Sequence, residues 1–294
     1  MLKPGRVLLV SAFICLSLVI TVIAQDAAAS RGQAGRGRGG MGGSRGTAPT
    51  TPTVLNRTLL TGTLRFQTGG VNMYLVIGKE KALLIDTGNP GNISPEEIKA
   101  FTNLPLLVVN THAHPDHSGS NNAFEKVYIH EADLESGRRY SGSDVELIPI
   151  KEGYVFDLGG KKLEVIEVRG HTPGSICLLD AQDKLLFGGD TANTETWAQI
   201  SNVPLETYKK SMENLLKRKD EYDRVLPGHN DTLPVSFIEE LIACADEILA
   251  GKAEQPAQTS QQQTRGGLTA GSLTHKYGSA TIRYNPNNLR ERNN

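Results

Sequence analysis

The chain has 294 residues, with 31 basic and 32 acidic side chains, a formal net charge of −1 and 38% hydrophobic residues. That length supplies one large or two small domains with a buried core, and the near-neutral balance excludes a dedicated nucleic-acid binder, which carries a basic excess. Six of the basic residues and one acid precede Thr51, so the remainder carries 25 against 31, a net −6 that argues against a polyanionic partner.

Residues 1–24 read as an export signal. Lys3 and Arg6 are followed by an apolar run, Val7 to Ala24, broken only by Ser11, Ser17 and Thr21, and Val22-Ile23-Ala24 offers the modest side chains a signal peptidase needs. The run also meets the length of a membrane span, so an uncleaved N-terminal anchor is the alternative. Both readings place the rest of the chain outside the cytoplasm, periplasmic or secreted, and membrane contact is expected only through this segment. Residues 25–53, with the core RGQAGRGRGGMGGSRGTAPTTP, hold too little apolar surface to offset chain entropy and read as a disordered Gly/Arg-rich linker. Beyond Cys15 the chain has only Cys177 and Cys244, each in an apolar stretch, and these read as buried free thiols rather than a bridge.

Ordered patterning begins at Val54. Leu59 to Phe66, Val71 to Ile77 and Lys81 to Asp86 are short β-prone runs punctuated by glycine, which predicts antiparallel strands. A helix is expected over Pro95 to Phe101, with Ser94 as N-cap and Pro95 at its first position. Leu106 to Asn110 reads as a buried strand, followed by a short helix after Ser118 and a strand from Lys126 to Ile129. Further strands are expected over Tyr154 to Leu158, Lys162 to Arg169, Ser175 to Leu179 and Lys184 to Phe187. Two amphipathic helices come next. Leu205 to Leu216 carries Leu205, Tyr208, Met212, Leu215 and Leu216 on one face, and Val235 to Ala250 carries Phe237, Leu241, Ile242, Ala245, Ile248 and Leu249. Strands then helices, twice over, predict an α+β fold of two sheets packed face to face with helices outside, spanning residues 54–250. Residues 251–294 read as a polar loop and a tail with one strand, Ala280 to Tyr284.

The chemistry concentrates in Thr111-His112-Ala113-His114-Pro115-Asp116-His117-Ser118-Gly119, where three of seven histidines and an aspartate fall within six residues. Alternate residues on extended backbone point the same way, and Pro115 keeps His114 extended, so His112 and His114 face one ion while Asp116 and His117, after a turn, face a second. Imidazole and carboxylate are good zinc ligands. His171 in RGHTPGS, Asp190 in LLFGGD and His229 in VLPGHN each follow a strand and are flanked by glycine or proline. Rigid strands below and shaped loops above are what a metal site at a sheet rim needs.

LLIDTG, THAHPDHSG, GHTPGS, FGGD and PGH, in that order, resemble the five motifs of the metallo-β-lactamase superfamily across its catalytic domain. The resemblance implies an αββα four-layer sandwich with a two-metal site between the sheets. It implies that His112, His114 and His171 hold the first metal, that Asp116, His117 and His229 hold the second, and that Asp190 bridges them, with Asp86 bracing the ligand loop. Asp190 makes the site similar to hydroxyacylglutathione hydrolase (glyoxalase II), lactonases and related esterases; the antibiotic-hydrolysing members usually lack a carboxylate there. Two zinc ions carry four positive charges, of which Asp116, Asp190 and a bridging hydroxide offset three, leaving an electrophilic site. Iron and manganese are alternative metals. The expected reaction is hydroxide attack on a small-molecule ester, thioester or lactone carbonyl, with Asp116 orienting the hydroxide. A mononuclear iron sulfur dioxygenase of the same superfamily and a β-lactamase are the alternatives.

Departures from the family leave the substrate open. Asp231 stands where glyoxalase II has tyrosine, and DTANTETWA after the bridging position offers Asn193 and Trp197 but not the tyrosine of lactonases. Substrate choice is expected in loops 67–72, 137–147 and 191–204, with Trp197, the chain's only tryptophan, as a pocket wall or a core residue. His130 reads as a capping or hydrogen-bonded histidine. His275, Lys276, Tyr277 and Arg283 would meet a substrate carboxylate if the tail folds over the site.

Overall fold

The computed structural model describes residues 58–60, 62–198, 203–253 and 272–292. Residues 1–24, read above as an export signal, the Gly/Arg-rich stretch 25–53 and most of the polar stretch 251–267 lie outside the described residues. The first sheet begins as an antiparallel meander: β1 (Thr58–Leu60), β2 (Thr63–Thr68), β3 (Val71–Ile77) and β4 (Ala82–Ile85). The run expected as one strand from Leu59 is therefore two, with an irregular register between β1 and β2. Helix α1 (Pro95–Lys99) is capped as its sequence predicts. Glu97 N–H donates to Ser94 Oγ, and Ser94 N–H donates back to Glu97 Oε2 at 2.8 Å, a reciprocal capping box.

The chain then turns parallel. β5 (Leu106–Val109) lies beside β4, α2 (Pro115–Ser118) follows, and β6 (Lys126–His130), α3 (Leu134–Ser141) and β7 (Glu146–Ile150) complete a seven-stranded sheet in sequence order. The short helix expected after Ser118 is a 3-10 turn, Asn121–Ala123, and α2 precedes it because Pro115 has the fixed φ of a first helical residue and His114 ahead of it is extended. α3, LESGRRYS, has little apolar content and was not legible. It exists by close packing: a Cβ on Gly137 would sit 2.8 Å from Ile129 Cδ1.

The second sheet has six strands in the order β14-β13-β11-β10-β9-β8, from β8 (Val155–Asp157), β9 (Lys162–Glu167), β10 (Ile176–Asp180), β11 (Leu185–Gly189), β13 (Arg224–Pro227) and β14 (Leu233–Pro234). Helices α4 (Leu205–Lys217) and α5 (Phe237–Leu249) cover it. Alternation in single strands shows the layers. In β3, Tyr74 and Val76 face the second sheet, while Met73 and Leu75 join Ile98 and Val127 on the outer side. In β10, Ile176 and Leu178 face inward, while Cys177 and Leu179 pack with Tyr208, Met212 and Leu241 of the two helices. The result is the α+β sandwich, helix–sheet–sheet–helix, that the sequence implied. Cys177 and Cys244 are free and buried.

The segment after Ala250 carries the expected strand, Ala280 to Tyr284, and a second one that was not expected. It contributes two strands, β15 (Leu273–Tyr277) and β16 (Ala280–Tyr284), which form a third small sheet in the order β12-β16-β15 with β12 (Glu195–Trp197). The tail thus folds back, because Ala280, Ile282 and Tyr284 alternate into the core against α5. His275 is not part of the site cavity; its Nε2 lies 2.7 Å from Glu247 on α5. His130 is hydrogen-bonded as expected, accepting from Ala132 N–H and facing Glu167 at 2.9 Å.

Candidate metal centre

Each singled-out side chain stands at the C-terminal end of a strand. His112 and His114 follow β5, with Asp116 and His117 on α2 just beyond; His171 follows β9, Asp190 follows β11 and His229 follows β13. They form two adjoining groups, His112–His114–His171 and Asp116–His117–Asp190–His229, with the potential ligand atoms of each within 4.8 Å of one another. The rings of His112 and His117, centroids 4.3 Å apart, join the groups. Asp190, a member of the second group, also approaches the first: its carboxylate lies 3.3 Å from His117 and from His229, and 3.7 Å from His171.

Hydrogen bonds at the outer ring nitrogens set the tautomers. His171 Nδ1 meets the Trp197 carbonyl at 2.8 Å, and His229 Nδ1 meets the Gly70 carbonyl at 2.9 Å. Carbonyls only accept, so both Nδ1 atoms donate and both Nε2 atoms point into the site. His117 Nδ1 donates to Asp86 Oδ2 at 2.9 Å. Thr111 Oγ1 donates to the same oxygen and so accepts from His112 Nδ1 at 3.1 Å, while Thr111 N–H donates to Asp86 Oδ1 at 2.7 Å. Asp86 therefore orients two imidazoles, directly and through Thr111.

This donor set fits a cation. His112 Nε2 and His171 Nε2, both bare in the tautomers set above, lie 3.2 Å apart, so in the neutral rings two lone pairs meet with no hydrogen between them, and His114 Nδ1 stands 2.8 Å from the same His171 nitrogen. Asp190 Oδ1 is buried without a hydrogen-bond partner. A positive ion relieves both.

The charges divide the same way. Burial, then the neighbouring imidazoles, hold His112 well below the ordinary histidine range and His114 down at about 3; burial also lowers His171. Burial alone would lower His117 and His229 too. For His117, Asp190 and Asp86 outweigh it and raise the group well above its usual value; hydrogen bonds to Asp116 and Asp190 raise His229 to about 10. Burial would raise Asp116 and Asp190, but the facing histidines hold both carboxyls low, hence ionised at neutral pH.

Two features that sequence reasoning missed hold the loops in place. Asp133, 2% exposed, accepts from Ala113 N–H at 3.1 Å, Thr172 Oγ1 at 2.7 Å and Gly174 N–H at 2.9 Å, so one carboxylate ties the His112–His114 loop to the His171 loop. It sits in VYIHEAD, where nothing local marks it. Asn72 on β3 donates from its backbone to Gly228 O at 2.7 Å and from its side chain to Pro227 O and Asn230 O, fixing the His229 loop across the sheets. Gly228 is required there: a Cβ would lie 2.4 Å from Asp190 Oδ1 and 2.7 Å from His117 Cε1.

The site opens on a cavity of about 710 Å³ whose walls include Gly70, Tyr140, Asn193 and Trp197. One or more of these comes from each loop singled out for substrate choice, and Trp197 is a wall residue. Arg283 of β16 stacks on its ring at 4.8 Å. Asp231 lies outside this wall, paired with Arg65 at 3.2 Å.

Comparison with known proteins agrees with this architecture. An acyl-coenzyme A thioesterase of Gallus gallus is 34% identical over 209 residues, 56% of this chain and 75% of that protein. The mitochondrial hydroxyacylglutathione hydrolase of Saccharomyces cerevisiae is 31% identical over 144 residues, 44% of this chain and about half (48%) of that protein. A metallo-beta-lactamase structure from Pontibacter korlensis superposes with a TM-score of 0.53 at 22% identity, covering 66% of this chain and 98% of that one, which shows the shared fold. The sequence profile of the metallo-beta-lactamase superfamily matches residues 67–229, more than half the chain, and with the motifs, the sandwich and the convergent donors this shows that the chain belongs to that superfamily.

Proposed function

We propose that the protein is a dinuclear zinc hydrolase of small carbonyl substrates, with thioesters as the first class to test. The observation that carries the reading is the complete seven-residue donor set, His112, His114 and His171 beside Asp116, His117 and His229, with Asp190 between them. Thioesterase relatives support the substrate class. Two ions held by these residues would supply Lewis acidity toward a carbonyl oxygen and would lower the pKa of a water to about 7.

The chain's own groups do the rest. Asp86 and the Trp197 carbonyl hold imidazoles with their free nitrogens turned inward. The Asp116 carboxylate, about a third exposed and lining the cavity, is the group that orients the attacking water and takes up its proton. Asp190, 14% exposed, faces both groups and serves as the shared ligand. Trp197 and Tyr140 form apolar walls for the acyl or leaving portion. The reading of residues 1–24 as an export signal stands beside this as a proposal, checked by the N-terminal sequence of the mature protein.

Elemental analysis of the purified full chain, without added metal, tests the site. About two zinc ions per chain, with turnover in a screen of thioesters, lactones, esters and β-lactams, is the expected result. About one iron per chain with oxygen uptake in place of hydrolysis would move the assignment to the sulfur dioxygenase.

A further inference from the structure

The tail that folds back onto the domain reaches the metal centre through the short strand β12. β16 pairs with β12 in parallel, Thr196 opposite Ile282 and Trp197 opposite Arg283. Thr281 N–H donates to Thr194 O at 2.9 Å and Ala198 N–H to Arg283 O at 3.1 Å. Successive residues of an extended strand aim their backbone groups at opposite edges. The groups of Thr194 and Ala198 are turned toward β16, so the Trp197 carbonyl leaves from the other edge. That carbonyl is the one to which His171 Nδ1 donates at 2.8 Å.

The side chains of the strand pair repeat the link. Among the described residues the Arg283 guanidinium has no carboxylate partner; it lies over the Trp197 ring, 4.8 Å from the centroid, where the π face attracts a cation. Arg283 is fixed by its neighbours in the chain, since Ile282 and Tyr284 are buried against α5. Beyond β16 the tail caps α4. Asn288 O and Leu289 O accept from Leu205 N–H at 3.2 Å and Glu206 N–H at 2.9 Å, where Pro204 offers no capping side chain. The Glu291 carboxylate accepts from the Thr207 hydroxyl at 2.9 Å and from Lys210 at 3.0 Å. The tail thus grips β12 on one side of the connection to α4 and the start of α4 on the other.

We propose that the tail is a working part of the metal centre and that Arg283 is a positioning residue. By holding the Trp197 ring and backbone, it keeps the carbonyl on His171 Nδ1, so that His171 Nε2 stays aimed at the metal. The outer ring nitrogen of a metal-binding histidine needs such a partner to fix its tautomer and orientation. The tail lies well beyond His229, the last residue of the motifs, so metal affinity at the first group depends on a segment that supplies none of its donors. This rests on the metal site of the hydrolase reading above and not on its substrate.

Zinc affinity of the full chain, measured by chelator competition, tests the proposal. Arg283→Ala and Trp197→Leu are each expected to weaken binding about tenfold, the lower end for loss of a histidine's outer partner. Because Arg283 acts through the indole, the double variant is expected to bind no more weakly than the weaker single variant. Arg283→Lys keeps a cation over the ring and is expected to stay within about threefold of the parent. Lys276→Ala, an exposed change on β15 of the same small sheet, is expected to bind as the parent does. Excess zinc is expected to restore turnover of a chromogenic thioester by Arg283→Ala, which a general loss of structure would not allow. The proposal is overturned by unchanged affinity in Arg283→Ala or Trp197→Leu, by additive losses in the double variant, or by an equal loss in Arg283→Lys or Lys276→Ala. Turnover that excess zinc fails to restore overturns it too. Zinc binding that follows these expectations, in a protein that hydrolyses no thioester, ester or lactone, leaves this proposal standing and overturns the hydrolase reading.

Discussion

Replacing Asp133 tests how far one buried carboxylate organises the centre. Its Oδ2 accepts from Ala113 N–H and Thr172 Oγ1 and its Oδ1 from Gly174 N–H, in a setting 2% exposed. Gly174 packs directly on this side chain: a Cβ there would lie 2.7 Å from Asp133 Cγ. Hydrogen bonds to a charged group contribute about 1.5–3 kcal/mol each, and Asp133→Ala strands all three donors, so a loss of about 5 kcal/mol is expected, a large share of a typical domain's stability. Asp133→Asn keeps one accepting oxygen. If that oxygen serves Ala113 and Thr172, the NH2 meets Gly174 N–H, donor against donor, and the cost is about 2 kcal/mol. Both variants loosen the loops carrying His112, His114 and His171, so metal affinity in a chelator competition is expected to fall about 10- to 100-fold. Urea unfolding of the metal-free protein reads the first quantity and the chelator midpoint the second. Variants within about 0.5 kcal/mol of the parent, with an unmoved chelator midpoint, would refute the reasoning.

Asp86→Asn replaces the acceptor shared by His117 Nδ1 and Thr111; zinc affinity is expected to drop about 10- to 100-fold with the fold retained by circular dichroism. Gly228→Ala drives a methyl into Asp190 and His117 and is expected to lower the metal content read by elemental analysis below that of the parent. The metal-free protein is expected to be most stable near pH 6.5 in an unfolding series across pH. Below that value His112, His114 and His171, lowered in the fold, bind fewer protons than in the unfolded chain, so stability falls as pH drops toward the His114 value of about 3. Above it His117 and His229, raised in the fold, lose their protons and their ion pairs as pH rises toward the His229 value of about 10. A monotonic profile between those limits would contradict the charge division.

Much of this protein was legible as sequence because its signals are local. The spacing HAHPDH, the strand-end settings of His171, Asp190 and His229, the Ser94–Glu97 capping box and the apolar faces of α4 and α5 each lie within one short segment, where backbone period and residue chemistry decide the outcome. The features that escaped depend on partners far along the chain. β12 is only three residues, too short to signal a strand by itself, and exists because β16, some 86 residues later, pairs Thr196 with Ile282. α3 has a polar sequence and is held by the approach of Gly137 to Ile129, which in turn sets Tyr140 at the cavity. Asp133 and Asn193 look like ordinary loop and helix-end residues until folding brings Gly174 to one and Asn230 to the other. Side-chain type and strand period carry the metal motif in the sequence; burial and the pairing of distant backbone groups, which arise only when the two sheets close, select the residues that hold the motif in place and shape the cavity beside it.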